Sequence, residues 1–327
     1  MIYKHAYELV HDDVFLDLGG FIPGVDLILK IEGLNPAGSI KLKTALALIE
    51  DAERRGVLRP GGSVIESSSG NLGVALSSVC AARGYAFTCV VDPNTSAQNL
   101  ALMSAYGATV HLVDQRDANG GFLQSRIDHI QRRLAEDPDL LWLNQYANPA
   151  NPRAHHDWTA AAIARAVPNP DFLFIGAGTT GTLMGCAEFF REHSPSTRIV
   201  AVDAEGSITF GHPAGRRYIP GLGTSRRPEV FRPGLVEDVE LVPEREAVRM
   251  CRALARQRGL APGGSTGSVL AAVARRRDRL PAGAKVVAIS PDSGERYLST
   301  VYDDGWVAEK FGAPAPGDVV EDLAYSG

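Results

Sequence analysis

Four short strings in this chain of 327 residues put small, polar and ionisable side chains where a strand gives way to a helix. Asn35-Pro36-Ala37-Gly38-Ser39-Ile40-Lys41 sets Lys41 in the first turn of a predicted helix. The positive end of a helix dipole disfavours a charged ammonium, and a lysine held toward its neutral amine is what a Schiff base requires. An exposed helix lysine is the ordinary alternative. Ser67-Ser68-Ser69-Gly70-Asn71-Leu72-Gly73 offers hydroxyls and backbone N–H groups to a carboxylate, or simply a polar N-cap. Gly176-Ala177-Gly178-Thr179-Thr180-Gly181 follows a strand and opens a helix, a place where backbone N–H groups cradle phosphate. Ser290-Pro291-Asp292-Ser293-Gly294-Glu295-Arg296-Tyr297 turns out of a strand in the same way and lets Ser293 face into a cleft.

The third string is a GxGxxG, and Asp203 ends the next strand about where a ribose-binding acid would stand, so a nicotinamide or flavin enzyme has to be weighed. That fingerprint usually begins the first βαβ unit, whereas this one lies halfway along the chain. Thr179, Thr180 and Thr182 add hydroxyl donors, which suit a terminal phosphate monoester better than a bridging pyrophosphate. The string specifies phosphate and leaves the cofactor open.

Strands alternating with helices must position these turns. Predicted strands run over Val25–Glu32, Ser63–Ile65, Ala86–Val91, Thr109–Val113, Asp171–Ile175, Ile199–Asp203 and Lys285–Ser290; predicted helices include Ser39–Arg55, Ser96–Tyr106, Gly181–Glu192, Glu244–Arg258 and Ser265–Leu280. Continuous apolar strands between helices mean parallel sheets covered on both faces. The length suits about two domains, and the expectation is two α/β domains with the active cleft between them, at the carboxyl ends of the strands. Gly206–Pro233, rich in Gly, Pro and Arg, reads as a functional loop, and the tail after Gly312 as a loosely held end.

Composition narrows the partners. A net charge of −5 argues against a broad nucleic-acid surface, so any anionic ligand is small and met locally. No stretch approaches the roughly 18 apolar residues of a spanning helix, and charged residues from Lys4 to Asp13 leave no room for a signal-peptide apolar region, so a cytoplasmic protein without membrane contact is expected. Cys80, Cys89, Cys186 and Cys251 lack CxxC spacing and read as small buried hydrophobes. His155 and His156 are adjacent, so they do not converge on one helix face, and no structural metal is expected.

Taken together the four strings resemble the fold-type II pyridoxal-phosphate enzymes of the cysteine synthase and cystathionine β-synthase family, in the family's order, over about Val25 to Thr300. The resemblance implies a tryptophan synthase β-subunit-like fold, with a smaller mobile domain over 35–145 and a larger cofactor-binding domain made of 1–34 and 146–327. It implies that Lys41 carries pyridoxal 5'-phosphate as a Schiff base, that Asn71 bonds the ring hydroxyl, and that Gly178, Thr179, Thr180, Gly181 and Thr182 hold the cofactor phosphate. Ser293 would meet the pyridine nitrogen, and Ser67, Ser68, Ser69, Gly70 and Asn71 would take the substrate carboxylate. A neutral serine cannot protonate the pyridine as an aspartate would, which favours prompt β-elimination to an enzyme-bound aminoacrylate and addition of a second nucleophile. Lys41 would abstract the α-proton. A homodimer is implied as well.

The chain departs from ordinary cysteine synthases at the substrate loop. SSSGNLG stands where TSGNTG is usual, Leu42-Lys43 follows Lys41 in place of Asp-Arg, and Asn144-Gln145-Tyr146 replaces Gln-Gln-Phe; His11–Gly20 occupies the place of the usual IGNTPL. These changes resemble a sub-branch that makes N-(2-amino-2-carboxyethyl)-L-glutamate from O-phospho-L-serine and L-glutamate, toward 2,3-diaminopropionate in siderophore and peptide-antibiotic pathways. Cysteine synthesis from O-acetylserine or O-phosphoserine is the alternative. Arginine forks match phosphate and carboxylate in bidentate geometry, and Gly206–Pro233 supplies Arg216, Arg217, Arg226, Arg227 and Arg232. Arg126, Tyr146, Arg217 and Gly221 are therefore added to the expected substrate site. Arg275-Arg276-Arg277-Asp278-Arg279 reads as a solvated helix face.

Overall fold

A computed structural model describes residues 2–118, 120–236 and 238–312. The tail after Gly312 lies outside the described residues. In chain order the strands are β1 (Phe15–Asp17), β2 (Asp26–Ile31), β3 (Ser63–Ser67), β4 (Ala86–Val91), β5 (Thr109–Leu112), β6 (Leu140–Trp142), β7 (Phe172–Gly176), β8 (Arg198–Ala204), β9 (Asp238–Val242) and β10 (Lys285–Ser290). The helices are α1 (Lys41–Arg54), α2 (Asn71–Arg83), α3 (Ala97–Ala105), α4 (Leu123–Glu136), α5 (Ala150–Ala154), α6 (Ala161–Ala166), α7 (Gly181–His193), α8 (Glu244–Arg258), α9 (Gly264–Arg276) and α10 (Asp304–Phe311), with a π-helical turn over His155–Ala160 joining α5 to α6.

Two sheets form, ordered β1-β2-β10-β7-β8-β9 and β5-β4-β3-β6. Among the named strands of the described residues, only β1 runs antiparallel, to β2; every other strand pairing is parallel. The larger sheet is apolar on both faces because its strands carry apolar residues at consecutive positions. Leu27, Leu29, Phe172, Phe174, Val286 and Ala288 pack on one face with α8 and α9. The intervening Leu173, Ile175, Val287 and Ile289 pack on the other with Leu183, Cys186 and Phe190 of α7. The smaller sheet has its own core, in which Val64, Cys89 and Val91 meet Leu42, Ala45, Leu48 and Ile49 of α1 and the nearly all-buried α2. Both α1 and α2 stop at a glycine with positive φ, Gly56 at 71° and Gly84 at 74°, as the left-handed end of a helix prefers.

The predicted two-domain α/β architecture is present. Short or half-exposed strands carry little periodic signal, and β1, β6 and β9 escape the sequence reading. The arginine run is exposed at Arg275, Arg277, Asp278 and Arg279, as expected of a solvated face, while Arg276 is half-buried. Arg275 and Arg276 bind Glu240, Arg275 reaches Glu246, and Arg276 reaches Asp238. The two arginines clasp β9 to the end of α9, because an edge strand with outward acids needs a cationic cover. The four cysteines are free and buried, as read.

Candidate active site

The four turns follow the carboxyl ends of β2, β3, β7 and β10 and touch one another. Lys41 opens α1, and its turn is stitched to the end of β10: Ile40 N–H donates to the Pro291 carbonyl at 2.7 Å, and Ser39 bridges Asp292. The Lys41 ammonium lies 3.4 Å from Thr179 Oγ1, so the amine touches the phosphate-cradle turn directly. Burial lowers its pKa from 10.5 to about 8, which makes the neutral amine accessible near physiological pH.

The cradle turn between β7 and α7 is tight by construction. Thr180 sits at φ 62°, rare for a β-branched residue, and orients the first turn of α7. A side chain on Gly178 would bring Cβ to 2.6 Å from the Gly221 carbonyl, and one on Gly181 would collide with the Asn151 amide. Gly223 N–H donates to the Ala177 carbonyl at 2.9 Å. The loop around Gly221 is thereby laid across the turn. Thr180 Oγ1 is buried without a hydrogen-bond partner among the described residues, and Thr182 follows one residue inside α7. Buried hydroxyls are rarely left unpaired, since each costs about 1–3 kcal/mol.

The serine loop caps α2. Ser68 Oγ accepts from the N–H groups of Gly70, at 3.3 Å, and Gly73, at 3.0 Å, while the Ser69 carbonyl accepts from Asn99. Ser68, two residues before the Gly70 N-cap, thus supplies a side-chain acceptor to the first turn of α2, and Ser67 Oγ is buried without a partner among the described residues. Asn71 is held at both ends of its amide: Nδ2 donates to Asp292 Oδ2 at 2.7 Å, and Oδ1 accepts from Arg296. Ser293 is pinned by its backbone, with N–H donating to the Gly38 carbonyl at 3.4 Å and a bridge to Pro262. That places it against the turn that leads into Lys41.

Beyond the serine loop stands a charged cluster. Arg126 on α4 is 7% exposed, sets Nη1 3.4 Å from Asp92 Oδ2, and leaves Nε without a hydrogen-bond partner among the described residues. Glu66 at the end of β3 accepts from Ser67 N–H at 2.8 Å, Trp142 Nε1 at 3.1 Å and Gln145 N–H at 3.1 Å. Burial raises its carboxyl to about 7 against those bonds and the nearby Arg126 charge. Tyr146 belongs to the same electrostatic group, its phenol pKa raised by burial against the pull of Arg126.

The loop arginines are mostly engaged by the loop itself. Arg217, expected to meet substrate, donates to the carbonyls of Gly206 at 2.6 Å and Thr224 at 3.5 Å, and its charge is felt by buried Asp203. A long segment without regular structure leaves carbonyls that need donors, and Arg217 supplies one. Arg227 donates to the Thr209 carbonyl and stacks on Phe231, Arg226 pairs with Glu229, and Arg232 pairs with Glu188. Arg226 and Arg227 also border a cavity of about 230 Å3 between the two units, with Asp117, Gln124 and Ser225.

Sequence reasoning passes over Glu66, Asp92, Asn151 and Arg296. Glu66 closes an apolar strand immediately before the serines, a placement that marks a buried acid. Asn151 and His155 carry no such signal. Asn151 Nδ2 donates to Thr179 at 3.3 Å, and His155, fully buried with its pKa lowered by desolvation, shares hydrogen bonds with Thr44 and Thr159 at 3.1 Å.

A desolvated lysine touching a glycine-tight phosphate cradle, with an orphaned threonine hydroxyl beside it, defines an enzyme that uses a phosphorylated aldehyde, and these residues fit pyridoxal phosphate. The chain belongs to the pyridoxal-phosphate dependent enzyme family, which its residues 17–292 match. It is 41% identical over 322 residues to an N-(2-amino-2-carboxyethyl)-L-glutamate synthase of Ralstonia nicotianae, covering 98% of this chain and 95% of that one. It is also 41% identical to a Cupriavidus metallidurans protein of the same name, over 86% of this chain and 84% of the relative. The crystal structure of an O-ureido-L-serine synthase superposes with a TM-score of 0.85 at 31% identity, covering 94% of this chain and all of that one.

Proposed function

We propose that the protein catalyses β-replacement, joining the amino nitrogen of L-glutamate to Cβ of O-phospho-L-serine to give N-(2-amino-2-carboxyethyl)-L-glutamate and phosphate. The observation that carries this reading is Arg126: a buried guanidinium beside the serine loop whose Nη1 lies 3.4 Å from Asp92 Oδ2 and whose Nε has no hydrogen-bond partner among the described residues. A buried guanidinium matches a phosphate or a second carboxylate, whereas the acetyl ester of O-acetylserine carries no charge for it to meet.

Bound pyridoxal phosphate supplies the electron sink for the pair released when the Cα–H bond breaks. Gly178–Thr182 and the N-terminus of α7 hold its phosphate, Asn71 its ring hydroxyl and Ser293 its ring nitrogen. Lys41 Nζ binds the cofactor and then takes the α-proton, a role eased by an amine pKa near 8. Ser67 Oγ and the amides of the loop through Asn71 hold the substrate carboxylate. Arg126 and Tyr146 steady the phosphoryl group as the Cβ–O bond breaks. Glutamate arrives as an ammonium and must lose a proton before its nitrogen can attack, so its carboxylates have to be gripped and its nitrogen aimed; orientation stands in for intrinsic reactivity.

The proposal extends to residues 35–145 moving as a small unit against 1–34 and 146–327, and to a cytoplasmic homodimer. The route it would serve leads to 2,3-diaminopropionate for a siderophore or peptide antibiotic. The test mixes the protein with phosphoserine or acetylserine, and with glutamate or sulfide, and identifies products by mass. A glutamate adduct from phosphoserine is expected. Efficient cysteine formation from acetylserine and sulfide without that adduct overturns the reading.

A further inference from the structure

Arg296 joins three of the four turns, and no role proposed above uses it. It leaves the large unit just after β10 and donates from Nη2 to the Ala37 carbonyl at 2.6 Å, four residues before Lys41. From Nη1 it donates to Asn71 Oδ1, the first residue of α2 in the small unit. Gly38 makes the approach possible, because a Cβ there would stand 3.2 Å from Arg296 Nη2 and its φ of 66° already favours glycine. On the opposite side of the same amide, Asp292 Oδ2 accepts from Asn71 Nδ2 at 2.7 Å and from the Tyr297 hydroxyl at 2.6 Å. Asp292 and Tyr297 are 3% and 4% exposed.

An asparagine amide can present either end to a neighbour, and its two ends differ only in donor and acceptor character. Here a cation stands at one end and a carboxylate at the other. Turning the amide over would set its NH2 against the guanidinium and its carbonyl against the carboxylate, making two repulsive contacts out of two attractive ones. The orientation is therefore single, and one N–H of Nδ2 stays uncommitted, pointing a donor and never an acceptor at whatever lies beyond it.

We propose that Arg296 and Asp292 are positioning residues that fix the Asn71 amide with its spare N–H toward the oxygen of the cofactor ring, and that Arg296 at the same time sets the turn before Lys41. The inference rests on the assignment of Asn71 to that ring hydroxyl. Ser293 directly follows Asp292, yet stays neutral: the charges that would orient the cofactor act through Asn71.

The test compares Asn71→Ala, Arg296→Gln, Arg296→Lys and Asp292→Asn by three measurements. These are the dissociation constant of pyridoxal phosphate by equilibrium dialysis, the position and pH profile of the bound cofactor's absorbance band, and the melting temperature of the cofactor-free protein. Arg296→Gln should weaken cofactor binding about tenfold, the cost of one charge-assisted hydrogen bond, and move the absorbance band in the direction seen for Asn71→Ala. Arg296→Lys keeps the charge but offers no fork to bridge Ala37 and Asn71, so it should restore part of the affinity. Asp292→Asn should shift the band the same way. If Asn71→Ala moves the band while the Arg296 and Asp292 variants alter only the melting temperature, these two residues are merely structural and the inference fails alone. If Asn71→Ala leaves band and affinity at parental values, the assignment of Asn71 fails and takes the inference with it.

Discussion

Replacing Arg126 separates phosphoserine from acetylserine chemistry, provided the fold survives. Arg126 is buried beside Asp92 and near Glu66, so Arg126→Gln alone strands carboxylates, and breaking a buried pair from one side costs on the order of 3–5 kcal/mol of stability. The double variant Arg126→Gln/Asp92→Asn removes the cation and its nearest anion together. It should melt close to the parent protein. Its catalytic loss comes from the guanidinium charge and from Nε, the buried donor left without a partner, counted as one charged contact. A hydrogen bond to a charged group is worth about 1.5–3 kcal/mol, a roughly ten- to 160-fold fall in kcat/KM. The assay follows phosphate release from O-phospho-L-serine with glutamate as acceptor, beside the turnover of O-acetyl-L-serine under the same conditions. A large loss on phosphoserine with a small one on acetylserine is expected. Equal losses on both, in a variant that melts normally, refute the assignment of Arg126 to the anionic group.

Lys41→Ala should abolish the borohydride-reducible attachment of the cofactor, checked by intact-protein mass. In the cofactor-free parent, attachment should accelerate as pH rises through about 8, where the buried amine becomes neutral, well below the ordinary lysine range; a rate still climbing only toward the ordinary value would contradict the desolvated lysine. Ser293→Asp should protonate the ring nitrogen, so that long-wavelength absorbing species accumulate with amino-acid substrate while β-replacement slows; an unchanged spectrum and product ratio would remove Ser293 from that position. Glu66 has a folded pKa raised to about 7, so its contribution to stability is complete below its unfolded pKa and is lost as pH rises through about 7. Glu66→Gln cannot titrate, and its melting temperature relative to the parent should improve between about pH 5 and about pH 8; a constant difference would show that the folded Glu66 pKa is not raised.

What the sequence discloses here is the turns and the long elements. Lys41, Gly178 and Thr180 are legible because Gly, Pro and Thr punctuate strand-to-helix junctions, and the strands that lead to them are continuous apolar runs. Arg126 is legible only by its residue type and the departures around it. The parts that stay hidden are pairwise. Nothing in the spacing of Arg217 distinguishes a substrate ligand from a donor to its own loop, and both readings call for the same residue. Glu66 and Asp92 stand more than twenty residues apart and meet Arg126 because adjacent parallel strands, β3 and β4, end side by side. The Asn71–Asp292–Arg296 contact joins residues more than two hundred positions apart, which only the packing of the turn after β3 on the turn after β10 makes neighbours.

The order of strands in the larger sheet also bears on how the chain is made. β10 lies between β2 and β7, so β2 emerges first and waits for a partner separated from it by residues 32–284. At roughly 5–20 residues per second of synthesis, the wait is on the order of ten to fifty seconds. Throughout it, β2 offers an unpaired edge carrying Leu27, Leu29 and Ile31, an invitation to wrong pairings. The smaller sheet meets no such delay, since β3 to β6 are contiguous in the chain. A nascent chain halted before Lys285 would therefore display a finished small unit beside an open, adhesive sheet, the kind of intermediate that chaperones retain and proteases remove.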